Sequence, residues 1–193
     1  MGELLGLDPA TRLGWALSPP FREVERIRVG SWQAPTGAPT HEKCAALAGH
    51  LADLCRSTPI IYAAIEVPMS SPPRMRKIAK QTPLGIEVEE VAAGSLHAQN
   101  VLWSIHGAVV AILASFGIPF RTVSVPTWRA EVLGNGRMKN DEAKRLCKER
   151  LEARSVHVPN LDAAEAGGLL FFAQRHYRRW QAEDEALRRS AAA

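Results

Sequence analysis

Cysteine is scarce in this chain of 193 residues. The three cysteines, Cys44, Cys55 and Cys147, are an odd number and include no CxxC pair. This pattern argues against both a disulfide framework and a zinc knuckle. We therefore expect a reducing, cytoplasmic setting for the protein.

Long apolar runs and nucleophile motifs are missing as well. No unbroken apolar run approaches the roughly 18 residues of a membrane span, and Asp8 and Arg12 interrupt the apolar start of the chain. We therefore expect neither a signal peptide nor a membrane partner. The six histidines lack paired spacing, and no Ser-His-Asp or Cys-His arrangement stands out. Only His157 is kept open as an exception, because it lies close to Asp162 in sequence.

What the chain does contain is typical of one soluble globular domain. It is 46% hydrophobic and 23% charged, and its length predicts a single domain over residues 1–180. The Ala-rich end of the chain, 181–193, is expected to be frayed. A net charge of +4 with a pI of about 9.2 is compatible with a polyanionic partner, although such an excess also occurs in proteins that bind no nucleic acid.

Apolar periodicity and turn residues predict a mixed α/β fold. The elements expected in chain order are strands at 3–8, 13–18, about 22–31 and 60–65, a helix from the N-cap Thr40, a helix at 102–116, a strand at 118–125, and helices at 141–153 and 161–180. The first three strands are short and form an antiparallel meander. The run at 60–65 is continuously apolar, as in a parallel strand covered on both faces. This order predicts a mixed sheet flanked by helices.

The segment 67–93 is expected to be a basic loop or arm. Its first part, from Pro68 to Pro83, is rich in proline and has no acidic residue. We hypothesise that its basic residues hold a DNA backbone through contacts that weaken with salt. These residues are Arg74, Arg76, Lys77 and Lys80.

Four carboxylates stand at the ends of predicted elements. Asp8 ends the first strand, Glu66 follows the apolar run at 60–65, and Asp162 and Glu165 open the last helix. Each has an ordinary explanation: Asp8 as a turn residue before proline, Glu66 as a solvated strand end, and the helical pair as acids that oppose the helix dipole or cap the helix.

A second observation favours a shared site for these acids. Residues three apart on a helix lie on one face, and the small residues around Asp162 and Glu165 would let this helix approach the sheet closely. Those small residues are Ala163, Ala164, Ala166, Gly167 and Gly168. Four converging carboxylates require a divalent cation to balance their charge. Oxygen ligands suit Mg²⁺, and a pair of such ions about 4 Å apart is suited to phosphodiester hydrolysis.

Five stretches together resemble a known family. They are GLDPATRLGWAL around Asp8, IEVP around Glu66, the helix and strand from Ile105 to Val125, GNGRMKNDEAK from Gly134 to Lys144, and NLDAAEAGG around Asp162 and Glu165. In this order and at these separations, the chain resembles the RuvC-like Holliday junction resolvases of phages and prophages, within the ribonuclease H-like superfamily.

The resemblance implies a fold, an activity and partners. It implies a ribonuclease H-like five-stranded sheet and a site with two Mg²⁺ ions, for which Mn²⁺ can substitute. It further implies cleavage of branched DNA such as a four-way junction, a homodimer, no nucleotide cofactor, and a bacterial or phage-infected bacterial cell as the location.

The resemblance also implies roles for individual residues. Asp8, Glu66, Asp162 and Glu165 are expected to be the metal ligands, and Glu165 reaches further than the aspartate common in this family. Lys139 and Lys144 match basic positions that would hold the scissile phosphate, although both also fit a solvated helix face. Further DNA contacts are expected from Arg12 and Arg137, and Met69 is a candidate apolar wedge in place of the family's aromatic one.

Three other functions are weighed against this one. Sugar kinases and actin-like ATPases share the fold, but they need two such domains around a nucleotide. A non-catalytic nucleic-acid-binding module would have no need of four acids. A nuclease of the same fold acting on flaps, forks or RNA/DNA hybrids is left open by the sequence.

Overall fold

The computed structural model of this chain describes residues 2–20, 27–68, 74–82, 85–93 and 96–191, with the main chain alone considered in 74–82 and 85–93. The elements are β1 (Glu3–Asp8), β2 (Arg12–Ser18), β3 (Arg28–Gln33), α1 (Thr40–Ser57), β4 (Ile60–Val67), β5 (Arg74–Thr82), β6 (Gly85–Ala93), α2 (Leu96–Ser115), β7 (Phe120–Ser124), α3 (Val125–Leu133), α4 (Asn140–Glu152) and α5 (Leu161–Ala191).

The main sheet has five strands in the order β3-β2-β1-β4-β7. β1, β2 and β3 form the antiparallel meander, while β4 pairs parallel with both β1 and β7. Ala63, Ala64 and Ile65 of β4 have no exposed surface, because this strand is paired on both edges and covered on both faces. The predicted mixed five-stranded sheet flanked by helices is confirmed.

Alternating side chains divide the sheet between two cores. Leu5 and Leu7 of β1 pack in the core that contains the buried residues of α1 and α2, whereas Leu4 packs in the core formed with α3, α4 and α5. Since successive side chains of a strand point to opposite faces, Asp8 shares its face with Leu4. The N-terminal acid therefore faces the side on which α5 lies.

Two strand glycines allow α5 to lie almost directly on the sheet. A Cβ added to Gly14 would lie 2.2 Å from the carbonyl oxygen of Asp162, and one added to Gly6 would lie 2.5 Å from that of Ala166. The expected close approach of this helix is thus present, but it depends on glycines of β1 and β2. The helix's own Gly167 and Gly168 contact α4 and α3 side chains instead.

The contact at Gly14 predicts the effect of adding one methyl group. Gly14→Ala should lower the free energy of unfolding by about 1–3 kcal/mol, because the new Cβ meets main-chain atoms at the start of α5, which cannot rotate away. Urea denaturation measures this change. Gly49→Ala is the matched control, since its Cβ meets nothing within 4 Å in a helix interior and should stabilise slightly. Equal stabilities of the two variants would contradict the close packing.

The segment 67–93, predicted as a basic loop or arm, contains a β-hairpin, so the expectation of a loop was wrong. β5 and β6 pair antiparallel over nine residues each. The prolines that suggested a loop lie outside both strands, at 68, 72, 73 and 83. The register also places Lys77 opposite Glu90 and Lys80 opposite Glu87, and opposite charges at facing positions favour strand pairing.

The predicted frayed tail from 181 was also wrong, because α5 continues to Ala191. Asp184 holds this part of the helix to the sheet: it accepts a hydrogen bond from the Tyr62 hydroxyl at 2.9 Å and pairs with Arg121. Trp180 stacks on the ring of Tyr62 one turn earlier. The composition of the segment suggested disorder, whereas these long-range contacts order it.

The third predicted strand, about 22–31, begins later, at Arg28, and residues 21–26 lie outside the described part of the chain. Thr40 is the first residue of α1, after Pro39 at the N-cap, and it does not itself cap the helix. α2 begins at Leu96, one and a half turns before the predicted start. These are shifts at element ends, where several residues satisfy the same local pattern.

By length and composition alone, α2 would be able to cross a membrane. Its most apolar 18-residue window has a mean hydropathy of 1.3, and 28% of that window is buried. Core helices of soluble proteins meet the same criterion, and Val101, Ile105, Val109 and Leu113 of α2 are buried in the core with α1. The helix contains no Asp, Glu, Lys or Arg, so its outer face is uncharged.

Candidate active site

Two acids meet at the carboxyl ends of neighbouring parallel strands. Asp8 is the last residue of β1 and Glu66 the last but one of β4. The register pairs Leu7 with Ile65, which places the two acids side by side on the face covered by α5. Asp8 is 8% exposed, although it is a charged residue in a strand-end position.

The N-terminus of α5 brings the other two acids to the same place. Glu165 is 3% exposed and Asp162 lies one turn earlier. Asp8, Glu66 and Glu165 line a single cleft of about 390 Å³. Its other lining residues are Pro9, Ala10, Pro68, Gln99, Leu102, Val125, Arg129, Asn140 and Lys144. The predicted convergence of carboxylates from three separate segments is therefore present.

Two basic side chains hold the helical acids. Arg129 of α3, itself 4% exposed, pairs with Glu165 and also donates to the Met138 carbonyl and to Asn140 Oδ1. Lys144 Nζ of α4 lies 2.6 Å from Asp162 Oδ1 and 3.3 Å from Glu165 Oε2. Lys144 thus bridges the two acids of α5 from the wall of the cleft, which it lines.

Burial and mutual repulsion alter the ionisation of the strand acids. Burial, followed by the charges of Glu66 and Glu165, raises the pKa of Asp8 well above its usual value. Burial and then Glu165 raise the pKa of Glu66 to about 7, although hydrogen bonding from Trp128 and the charge of Arg129 act in the opposite direction. Burial is the larger cause for both acids and the neighbouring carboxylates add to it, so both carboxyl groups keep their protons to a higher pH than free acids do.

Lys144 responds to the same charges with the opposite sign. Burial by itself would lower the pKa of Lys144, but the hydrogen bond to Asp162 and the charges of Glu165, Asp162 and Asp8 raise it above its ordinary value. Lys144 consequently stays protonated and serves as a counter-charge for all four acids.

The donor chemistry of the cleft fits a hard divalent cation. All four acids are oxygen donors of the kind Mg²⁺ prefers, and a cation would relieve the repulsion that raises the pKa of Asp8 and Glu66. Among the side chains the structure describes, however, no group of three or more His, Cys, Asp or Glu stands close enough as it is to hold a metal ion. Arg129 and Lys144 hold the carboxylates of α5, so a cation would have to compete with them.

The raised pKa values predict how stability depends on pH. Unfolded Asp and Glu ionise near pH 4, whereas Glu66 in the folded protein ionises at about 7. Between these values the folded protein binds more protons, so the free energy of unfolding should fall as pH rises through this window. Thermal unfolding in EDTA at about pH 5.5 and about pH 8 measures this loss of stability. Each kcal/mol lost should lower the melting temperature by about 2–4 °C.

A matched variant isolates the groups responsible for this pH effect. Glu66→Gln removes one of the two strand acids whose pKa is raised and should reduce the loss of stability between these two pH values. A wild-type protein that becomes more stable as pH rises through the window would contradict the assignment.

The predicted DNA-contacting residues are placed unevenly. Arg12 lies at the rim, 3.9 Å from Asp162, where it also bonds Gln33, and Lys144 lines the cleft. Lys139 precedes α4 with an exposed side chain and is not among the cleft-lining residues. Arg137 is exposed.

Several further predictions fall where their side chains cannot be placed. Met69 lies outside the described residues, as do the side chains of the four basic residues of β5, Arg74, Arg76, Lys77 and Lys80. His157 is exposed in the loop before α5 and does not line the cleft. The DNA contacts expected of Met69 and of these four basic residues stay predictions.

Helix α3, which no pattern led us to expect, supplies two site residues that sequence reasoning missed. Trp128 and Arg129 are consecutive and contact Glu66 and Glu165 respectively. A usable signal was present: Ser124 caps the helix through the Thr127 amide, and Pro126 stands in the first turn, as at many helix starts. Their partners, in contrast, lie 36 to 62 residues away and leave no local trace.

Comparison with known proteins adds the decisive observation on the fold. No protein-family model and no curated protein matches the sequence, but solved structures do. RuvC of Thermus thermophilus in complex with a Holliday junction substrate matches with a TM-score of 0.62 at 12% identity, over 93% of this chain and 96% of that one. The chain has a RuvC-like fold.

A second structure of Thermus thermophilus RuvC matches over 92% of this chain and 96% of that one, with a TM-score of 0.60 at 15% identity. The resemblance read from five short motifs is thus confirmed at the level of the fold. In this RuvC-like fold the acid cleft lies where the carboxyl ends of β1 and β4 meet the N-terminus of α5.

Proposed function

We propose that this protein is a metal-dependent endonuclease that cleaves branched DNA by phosphodiester hydrolysis. The observation that carries the proposal is the convergence of Asp8, Glu66 and Glu165, from three separate segments, in one cleft that Asp162 borders. The RuvC-like fold supports this choice of substrate, because the matched RuvC was solved with a Holliday junction substrate.

The acids of the cleft would hold Mg²⁺ or Mn²⁺. Asp8 and Glu66 would supply ligands from the sheet, and Glu165 and Asp162 from α5. A pair of such ions, when bound, supplies activation of the attacking water and stabilisation of the leaving oxygen. Hydrolysis with the 3′ oxygen as leaving group would give a 5′-phosphate end.

Lys144 would have a second role once the acids are engaged. Its ammonium lies within 3.3 Å of both α5 carboxylates. If Asp162 and Glu165 held a divalent cation, Lys144 would be free at the wall of the cleft. A released ammonium there would bind the phosphate of the substrate as a point charge. Arg129 is 4% exposed and donates hydrogen bonds to three acceptors. It would therefore stay paired with Glu165 as a fixed counter-charge.

The proposal is tested with one panel of labelled substrates. Four-way junction, fork, flap, RNA/DNA hybrid and linear duplex are each incubated with the protein in Mg²⁺, in Mn²⁺ and in EDTA. Paired nicks in the junction, absent in EDTA, are expected. Cleavage of flaps, forks or hybrids in preference to the junction would change the substrate but keep the nuclease, whereas no cleavage of any substrate in either metal would overturn the proposal.

A homodimer through the outer face of α2 is part of the proposal, because two sites are needed to nick two strands of a junction. This face carries no charge, Trp103 is 42% exposed on it, and the small residues Gly107, Ala111 and Ala114 are exposed beside it. Small residues let a second helix approach closely, and exposed apolar surface of this kind marks an interface. Light scattering should give twice the chain mass of 21.1 kDa; a monomer at all concentrations used for cleavage would contradict the dimer.

Contacts to the DNA backbone are proposed for Arg12 beside Asp162, for the exposed Arg137 and Lys139 ahead of α4, and for the basic positions of β5. The acids opposite Lys77 and Lys80 in the hairpin register make Arg74 and Arg76 the stronger candidates there. Junction binding in EDTA should weaken with salt, with a slope of about −0.9 for each phosphate contacted. A binding constant independent of salt would argue against backbone contacts.

A further inference from the structure

Trp128 is a fully buried aromatic residue in direct contact with an acid of the cleft. Among the described side chains we find one such contact. Trp128 is 0% exposed, and its indole Nε1 donates a hydrogen bond to Glu66 Oε2 at 2.7 Å. Helix α3, which carries it, is anchored by the Ser124 cap at its start and by buried Val132 and Leu133 at its end. The donor therefore sits on a fixed element.

The main chain of Glu66 is held separately. It pairs with Val123 across the sheet, and His106 of α2, buried under Trp103, hydrogen bonds to it. What remains free at Glu66 is the orientation of its carboxylate. The indole of Trp128 donates its hydrogen bond to that carboxylate.

We propose that Trp128 is a positioning residue: its indole N–H fixes one oxygen of Glu66, so that the carboxylate keeps the orientation in which Glu66 would serve as a metal ligand in the cleft it lines. This inference rests on the proposed function. An indole nitrogen donates a hydrogen bond and accepts none, so Trp128 cannot itself be a ligand and acts only through Glu66. Hydrogen bonds to ligating carboxylates of this kind orient the ligand, and losing one weakens metal binding about 10–100-fold.

Trp128 also has a packing role, and the test has to separate the two. Its ring lies against the backbone of Gly168, where an added Cβ would be 2.8 Å from it, and against the Arg129 guanidinium at 5.5 Å. Trp128→Phe keeps an aromatic ring in the core but removes the N–H group. Lost packing lowers the melting temperature, whereas lost positioning lowers the cation affinity of the folded protein.

The first measurement is calorimetric titration of the folded full-length protein with Mn²⁺. Trp128→Phe is expected to bind Mn²⁺ about 10–100-fold more weakly than the wild type. Trp180→Phe is the matched control: this buried tryptophan stacks on Tyr62, away from the cleft-lining residues, and its variant should bind Mn²⁺ like the wild type. Wild-type affinity in Trp128→Phe would overturn the proposal.

The second measurement is an NMR experiment that detects the hydrogen bond between Trp128 and Glu66. It uses metal-free protein in which the indole is kept. The chain has five tryptophans, and the ¹⁵N–¹H signal of the Trp128 indole is the one absent from the spectrum of Trp128→Phe, or is assigned by triple resonance if that variant does not fold. Glu66→Gln replaces the charged acceptor with a neutral one and should shift this signal, leaving that of Trp180 in place. An unmoved Trp128 signal would overturn the proposal.

The two measurements also distinguish this inference from the proposed function. A wild type that binds no Mn²⁺ refutes the metal site, and with it any role of Trp128 toward a cation, even where the indole signal responds to Glu66→Gln. A wild type that binds Mn²⁺ while Trp128→Phe binds it equally well leaves the nuclease in place and refutes the positioning role alone.

Discussion

Asp8→Asn is expected to abolish cleavage of a four-way junction while the fold and junction binding persist. Asp8 lines the cleft, and the charges of Glu66, Glu165 and Asp162 all act on its carboxyl group. Losing an outer hydrogen-bonding partner of a metal site costs about 10–100-fold in activity, so losing a ligand should cost at least about 100-fold. Single-turnover cleavage in Mg²⁺ measures the rate, and a mobility shift in EDTA measures binding.

Stability separates this expected result from simple unfolding. Removing this carboxylate should leave the metal-free protein at least as stable as the wild type at about pH 8, because burial, followed by the charges of Glu66 and Glu165, raises the pKa of Asp8 and so disfavours its ionised form in the folded state. Asp53→Asn is the matched control, an exposed acid of α1 paired only with Arg56 among the described residues, and it should cleave like the wild type. Asp8→Asn that still cleaves in Mg²⁺ would contradict the role of Asp8.

Arg129→Met is expected to lower the free energy of unfolding by about 3–5 kcal/mol. Arg129 and Glu165 have side chains only 5% and 4% exposed. Removing the guanidinium leaves the buried Glu165 carboxylate, next to Asp8, with Lys144 at 3.3 Å as its remaining counter-charge among the described residues. The Met138 carbonyl and Asn140 also lose a donor. Denaturant unfolding measures this change in the free energy of unfolding, provided that the m value is the same in the variant and the wild type.

A double variant tests whether the buried charge of Glu165, deprived of Arg129, causes the loss of stability in Arg129→Met. Arg129→Met combined with Glu165→Gln removes both charges and should recover part of the lost stability, since replacing a whole buried pair costs far less than breaking it. Arg56→Met is the control: it breaks an exposed pair with Asp53 and should cost at most about 1 kcal/mol. A cost for Arg129→Met as small as that for Arg56→Met would contradict the buried pair.

Local patterns predicted the elements of the fold because each depends on near neighbours in the chain. The continuous apolar run at 60–65 became the doubly covered strand β4, and the glycine after the apolar stripe of α2 ends that helix at a positive φ of 65°. Asp8, Glu66, Asp162 and Glu165 were found because each stands at the end of such an element.

Other features depend on partners far away in sequence and were missed or wrong. The segment 67–93 was expected to be a basic loop or arm, but it contains two paired strands whose register places Lys77 opposite Glu90. Residues after 180 were expected to fray, but Asp184 meets Tyr62 across 122 positions.

The sequence by itself determined which residue types this protein has for chemistry: oxygen ligands at strand ends and a helix start, bases nearby, and no nucleophile motif. Only the tertiary structure decided how those groups are paired. Arg129 lies against Glu165, Lys144 bridges Asp162 and Glu165, and Trp128 holds Glu66. Such pairings depend on how α3, α4 and α5 pack on the sheet, and a buried charge selects its partner by proximity and desolvation in the folded state, which spacing along the chain does not encode.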